Sequence, residues 1–429
     1  MIELTSQDAA RAWFARRNTE SRGDAAVRKD ALAAALSAAK PQLVEVFSGE
    51  TGYSQYDAGA LIDAALQYVR QYDPTHPDGP DAGAIAALPP MSFVHAPWGR
   101  TVIALPANAV LPLAVILGLA FAQAGNRVVL SAPRNGHETM KLVAMCFASA
   151  GYDLAWWSSG SRSLIDTSIA ERSIECLYFI GGSAHYADIS GRCAEAGIEL
   201  IFEGEGRSTM IVDDTLSREQ VRASAVCLFD SKRLWGGRMC SAPNSVLVAR
   251  AVANAFVDEF ARLASVTTDA PVALPPQCVD FLAARLVEGA RLIPVGTDLS
   301  APSAPVLVWH DDLIQDSAAV ELFGQATLGS IYDDDQALLQ ELGRSRYGLQ
   351  LSVFSNDGKW VSRLLRDGRV ARVCVNMLPV SQDPTFAWGA YGLSGRSPVC
   401  TFAEKAYRKI LVESWGLPAE FAAEGGVAC

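Results

Sequence analysis

Cys240 stands in Leu234-Trp235-Gly236-Gly237-Arg238-Met239-Cys240-Ser241-Ala242-Pro243, between a stretch of helical period and an apolar run at 245–248. Two glycines just upstream permit close backbone approach, and Arg238 is placed to stabilise a thiolate, the nucleophilic form of cysteine. A structural cysteine in a loop is the other reading, since free Cys is among the most buried residue types. Glu203-Gly204-Glu205-Gly206-Arg207 follows the apolar run 198–202. That puts a carboxylate at a strand end, where α/β folds open their ligand crevice; a solvated turn is the alternative. Gly181-Gly182-Ser183 ends another apolar run and opens a helical window. Free N–H groups and a hydroxyl can hold a phosphate in such a place, although the full GxGxxG pattern is missing. Asn108, in Pro106-Ala107-Asn108-Ala109-Val110, is an amide in an apolar stretch, where an unpaired polar group costs about 1–3 kcal/mol. It either caps a helix or donates toward a developing oxyanion.

Positioning these groups falls to an alternation that begins near residue 92. Short apolar runs at 101–105, 127–130, 154–157, 176–180 and 198–202 are separated by windows of helical period. Strands alternating with helices of this length predict βαβ units and a mainly parallel sheet. Residues 207–380 repeat the alternation less regularly, with a helix near 218–227, an apolar run at 245–248, a long helix near 252–263 and a proline-rich stretch at 271–276, which predicts a second α/β domain. The first eighty residues are helical in period, with Ala9 and Trp13, Leu32 and Leu36, and Leu43 and Phe47 at four-residue spacing, before prolines in 72–80 force a loop. The apolar stretch 101–125 is broken by Pro106, Asn108 and Pro112. What remains, 113–122, is too short to span a bilayer and reads as a buried helix. The end of the chain, with Glu424-Gly425-Gly426-Val427, reads as frayed.

At 429 residues and 50% hydrophobic, the chain can bury more than one core. Lys and Arg number 36 against 47 Asp and Glu, a net charge of -11, so no basic field draws it to nucleic acid or to a membrane surface. Nine cysteines, at 146, 176, 193, 227, 240, 278, 374, 400 and 429, form no CxxC pair, which points away from a disulfide framework and from a zinc or other metal site. The start, Met1-Ile2-Glu3-Leu4-Thr5-Ser6, lacks the basic and apolar regions of a signal peptide, so a cytoplasmic location is expected.

Taken in order, the segments resemble the aldehyde dehydrogenase superfamily from about Phe93 to about Ser414. Pro106-Ala107-Asn108 is similar to the family's Pro-Trp-Asn, Gly182-Ser183 to its Gly-Ser turn, and Glu203-Gly204-Glu205-Gly206-Arg207 to its Glu-Leu-Gly-Gly-Lys. Cys240 stands where the family has its nucleophile, and Glu321-Leu322-Phe323-Gly324 resembles Glu-Ile-Phe-Gly. Val375-Asn376 and Trp388-Gly389-Ala390-Tyr391-Gly392-Leu393-Ser394-Gly395-Arg396 resemble Ile-Asn and Phe-Gly-Gly-Tyr-Lys-x-Ser-Gly.

The resemblance implies an α/β fold: N-terminal helices and a Rossmann-like NAD(P)-binding domain over 1–206, a catalytic α/β domain over 207–386, and a return segment and oligomerisation tail over 387–429. It implies oxidation of an aldehyde to a carboxylic acid with NAD or NADP. Cys240 would attack the carbonyl, and the Asn108 amide and the Cys240 N–H would hold the oxyanion. Glu203 would activate water against the resulting thioester. Glu321 would hold the nicotinamide ribose, Phe323 would pack near the ring, and Gly182 and Ser183 would face the pyrophosphate. A homodimer or homotetramer is implied, with residues 401–414 lending an edge strand to a partner subunit.

The sequence also departs from the family. The usual Lys-Pro after the second strand is Ala132-Pro133, with Arg134 as a substitute cation, so NAD and NADP stay open. Gly237-Arg238 replaces Gly-Gln, and residues 230–235 are a few longer than usual, which predicts a wall of the substrate tunnel and recognition of an anionic substrate by Arg238 or Arg233. The segment before Asn108 is short, as if the first strands of the cofactor domain were absent. Pro97-Trp98-Gly99-Arg100-Thr101 is similar to the acyl-thioester reductases, whose chemistry, reduction of an acyl-CoA or carrier-protein thioester to an aldehyde, is the alternative; Glu203 favours hydrolytic oxidation. A catalytically silent homologue is the third reading.

Overall fold

The structure is a computed structural model that describes residues 1–16, 25–73, 91–314, 320–380 and 387–413. Residues 74–80 of the expected loop and the tail after Trp415 lie outside the described residues.

Six parallel strands form the body of the first sheet, in the order Ile2–Leu4, Ala155–Trp157, Arg127–Ser131, Arg100–Ala104, Cys176–Ile180, Glu199–Glu203. Their near-continuous apolar character follows from burial on both faces. Side chains alternate between two cores: Ile103, Leu105, Val128, Leu130 and Tyr178 face one, and Val102, Ala104, Val129 and Leu177 face the other. Helices Ala25–Thr51, Gln55–Gln71, Val110–Gln123 and His137–Ser149 cover the first face, and Leu32, Leu36, Leu43 and Phe47, spaced as the sequence pattern requires, are buried there. Helices Gln7–Ala15, Ser161–Ala170 and Ser183–Ala196 cover the second. Val110–Gln123 is a 14-residue helix buried along nearly its whole length. Among the described residues no helix is long and apolar enough to cross a membrane.

The second sheet holds Val306–His310, Ala326–Tyr332, Ser245–Ala249, Thr209–Val212, Gln350–Phe354 and Arg372–Val375 in parallel, with Arg291–Ile293 antiparallel at one edge. After it the chain returns. Gly395–Cys400 runs antiparallel beside Glu199–Glu203, with Gly395 opposite Glu203, and Trp388–Gly392 and then Tyr347–Gly348 extend the first sheet beyond it.

Two expectations change. The N-terminal strand Ile2–Leu4 adds an edge to the first sheet, so the cofactor sheet is not cut short there. Three residues, of which only Leu4 is buried, are too few to show a period. Residues 401–414 also find a partner in their own chain: Tyr407–Glu413 pairs antiparallel with Met91–Pro97 in a separate two-stranded ribbon. The ribbon is moored at its root, where Trp98 Nε1 donates to the Lys405 carbonyl at 2.9 Å and Asn126 Nδ2 to that of Ala406 at 2.8 Å.

Candidate active site

Strand order in the first sheet reverses between Arg100–Ala104 and Cys176–Ile180, and the segments leaving their carboxyl ends, Pro106 to Ala109 and Ile180 to Gly182, line one cavity of about 410 Å³. Crevices at such switch points are where open α/β sheets bind ligands. The same cavity is lined by Glu203, Cys240, Glu321 and Phe323. Residues far apart in sequence, read as one constellation, thus meet at one place.

Glycines bring three of the segments that line the cavity together. A Cβ on Gly206 would lie 1.6 Å from the Cys240 carbonyl oxygen, and one on Gly237 would lie 2.2 Å from that of Gly324. Gly237 also has φ +66°, a conformation that only glycine adopts without cost. Trp235 shares the left-handed region at φ +52°, strain that turns its ring to the cavity wall.

Cys240 is not poised as a thiolate. Burial, reinforced by the charges of Glu321 and Glu203, pushes its pKa up to about 12. Arg238, expected to help, points elsewhere: Nη1 donates to the Thr51 carbonyl at 2.6 Å and the guanidinium lies 4.1 Å from the Tyr53 ring centroid. Its backbone is what serves the site, since the Arg238 carbonyl accepts from Asn108 Nδ2 at 2.8 Å. An amide nitrogen carries two protons, so a second remains for the cavity. Arg233 pairs with Asp269 at 2.7 Å, and neither arginine lines the cavity, so the expected recognition of an anionic substrate by either loses its basis. The extended 230–235 segment does contribute a wall, through Trp235.

Glu203 is buried at its strand end. Its Oε1 accepts from Tyr178 Oη at 2.6 Å, Lys405 Nζ at 2.5 Å and Ser397 Oγ at 3.1 Å. These three partners carry no local signal in the sequence, because strand pairing and the return segment bring them in. Glu321 Oε1 accepts from the Gly206 N–H at 2.8 Å, and burial pushes its pKa up to about 7. Ser183 opens helix Ser183–Ala196, which has no side-chain cap, and its hydroxyl donates to Glu205 Oε2 at 2.7 Å; Arg207 lies 3.5 Å from the same oxygen. Arg134 is exposed on a short turn, and Ala132 is buried.

The sequence model of the Aldehyde dehydrogenase family matches residues 5–399. The chain belongs to this family. It is 24% identical over 384 residues to vanillin dehydrogenase of Pseudomonas fluorescens, covering 82% of this chain and 76% of that one. It is 24% identical over 408 residues to N-succinylglutamate 5-semialdehyde dehydrogenase of Novosphingobium aromaticivorans, covering 86% and 80%. A point mutant of betaine aldehyde dehydrogenase from Staphylococcus aureus, solved with NAD+ and a BME-modified cysteine, superposes with a TM-score of 0.79 at 19% identity, over 98% of this chain and 91% of that one. This aldehyde dehydrogenase is an oxidoreductase that acts on aldehydes with NAD or NADP. These relatives lend nothing to thioester reduction.

The site of this aldehyde dehydrogenase suits a dinucleotide. The uncapped helix N-terminus behind Gly182 offers free amides to phosphates. Glu321, partly exposed on the cavity wall, offers a carboxylate to ribose hydroxyls, and Phe323 an apolar face.

Proposed function

We propose that this enzyme oxidises a bulky, apolar aldehyde to the free acid, with Cys240 as nucleophile, Asn108 as oxyanion donor and Glu203 as general base. The observation that carries the reading is the convergence of these three side chains on one cavity whose substrate side is walled by Leu113, Ile116, Trp235, Met239, Trp388 and Phe402. Arg372 also reaches the wall, but its Nη1 is engaged by Gln350 Oε1 at 2.9 Å.

The Cys240 thiol loses its proton to water, the thiolate sulfur bonds to the aldehyde carbon, and the carbonyl oxygen takes the charge opposite the Asn108 amide and the Cys240 N–H. NAD or NADP, when bound, supplies the hydride acceptor; Glu321, Phe323, Gly182 and Ser183 would hold it. Glu203 takes a proton from the water that attacks the thioester carbon, the carbon–sulfur bond breaks to release acid and thiolate, and Glu203 returns the proton to the sulfur. The division at 206 and 386 into cofactor domain, catalytic domain and return segment belongs to this reading, as does a homo-oligomer built on the ribbon's two outer edges, which pair with no other strand among the described residues. A cytoplasmic location fits the described cysteines, all free thiols.

The test is turnover of an aldehyde panel with NAD+ and with NADP+, without an acceptor thiol. Free acid should form, benzaldehydes should exceed succinic semialdehyde by about tenfold or more in kcat/KM, and Cys240→Ala should abolish product. Equal turnover of the two classes would reject the apolar substrate, and an absolute need for an acceptor thiol would reject hydrolysis.

A further inference from the structure

Lys405 is a cation with a fully buried side chain, and the family resemblance assigns it nothing. It ends the one-turn helix Phe402–Lys405, which a reciprocal capping box fixes: Thr401 Oγ1 accepts from the Glu404 N–H and Glu404 Oε2 accepts from the Thr401 N–H. Trp98 ties its carbonyl from the opposite side. Its ammonium meets Glu203 Oε1, the oxygen that Tyr178 and Ser397 also reach. Three donors on one oxygen saturate it. Oε2 has no hydrogen-bond partner among the described residues, and Glu203 lines the cavity.

We propose that Lys405 is a positioning residue for the hydrolytic half-reaction, anchoring one oxygen of Glu203 so that the other is presented to the attacking water. The inference rests on Glu203 being the general base. A buried carboxylate that loses its counter-ion is strongly disfavoured in place and takes another rotamer or a proton. Either outcome removes the base from the water. Acylation is carried by Cys240 and Asn108 on other segments, and a Glu203 that takes up a proton no longer raises the pKa of the thiol, so the burst survives. In the deacylation step, water oxygen bonds to the acyl carbon, Oε2 receives the water proton, the carbon–sulfur bond breaks and the sulfur leaves as thiolate; the proton then passes from Glu203 to restore the thiol.

Stopped-flow hydrolysis of p-nitrophenyl acetate by the full-length protein separates the halves without cofactor. The burst of nitrophenolate reports acylation of the thiol, and the steady phase reports deacylation. Lys405→Met is expected to keep the burst and slow the steady phase by about 10-fold or more, a fraction of what a general base contributes. Lys405→Arg, which keeps the charge, should recover to within about threefold. A steady phase within twofold of wild type in Lys405→Met overturns the proposal, as does an equal loss of both phases. Should Lys405→Met fail to fold, Tyr178→Phe takes its place: it removes a donor from the same oxygen and should slow only the steady phase, and an unchanged steady phase overturns the proposal. Glu203→Gln isolates the underlying reading. If it deacylates like wild type, the base is misassigned; if it is slow while Lys405→Met is not, only the lysine's role falls.

Discussion

A thiol pushed up to about 12 is almost wholly protonated at neutral pH, so Cys240 reacts only through a small thiolate fraction. Since the pKa is raised, that fraction grows with pH throughout the accessible range. Alkylation of Cys240 by iodoacetamide, followed by peptide mass spectrometry, should therefore accelerate about tenfold per pH unit from 7 to 9; a plateau below pH 8 would show a thiolate already formed. Glu205 raises a second question, because its carboxylate sits on the Ser183 hydroxyl at an uncapped helix N-terminus, where a phosphate would bind. Two anions compete for one set of donors. Glu205→Gly should lower the Kd for NAD+ by about fivefold, near 1 kcal/mol, in a tryptophan fluorescence titration, and a weaker Kd would mean that Glu205 belongs to the binding site. Cys240, Glu203, Asn108 and Glu321 were legible in sequence because each lies in a short segment whose order along the chain carries the resemblance. Tyr178 and Lys405 were not, since they lie 25 and 202 residues from the carboxylate they hold. Arg238 misled because its position beside the thiol in sequence says nothing about where its long side chain turns.

At the scale of elements, the alternation of apolar runs and helical windows was readable because each strand of the first sheet is buried on both faces, while Ile2–Leu4 was too short to show it. The antiparallel return could not be read, since pairing between distant strands leaves no local period. The site depends on how closely its segments cross. Gly206→Ala inserts a methyl 1.6 Å from the Cys240 carbonyl oxygen and 2.5 Å from its carbon; the Leu349 side chain could yield, but this backbone cannot without moving the thiol's own residue. The expected result is loss of the p-nitrophenyl acetate burst by about 100-fold, with a lower melting temperature, because a small misplacement of reacting groups has that kinetic cost. Retention of the full burst would mean that the loop adapts.

For the whole molecule, Asn126 links elements that are otherwise separate. Its buried amide donates to the carbonyls of Phe121 and Ala406 and accepts from the Gly99 N–H, joining helix, ribbon root and first sheet. Asn126→Ala strips the Ala406 carbonyl and the Gly99 N–H of this partner, while the Phe121 carbonyl keeps the backbone N–H of residue 126, and should cost about 1–3 kcal/mol in urea unfolding, with the ribbon's amides exchanging faster. The return of Gly395–Cys400 onto Glu199–Glu203 sets an order of events during synthesis. Glu203 emerges with the first sheet, but Ser397 and Lys405 follow it by 194 and 202 residues. A chain cut before Ser397 holds this carboxylate without its cation, so Glu203 gains its full set of partners only once the return segment has folded back, and chains lacking that segment carry a buried charge that works against the fold.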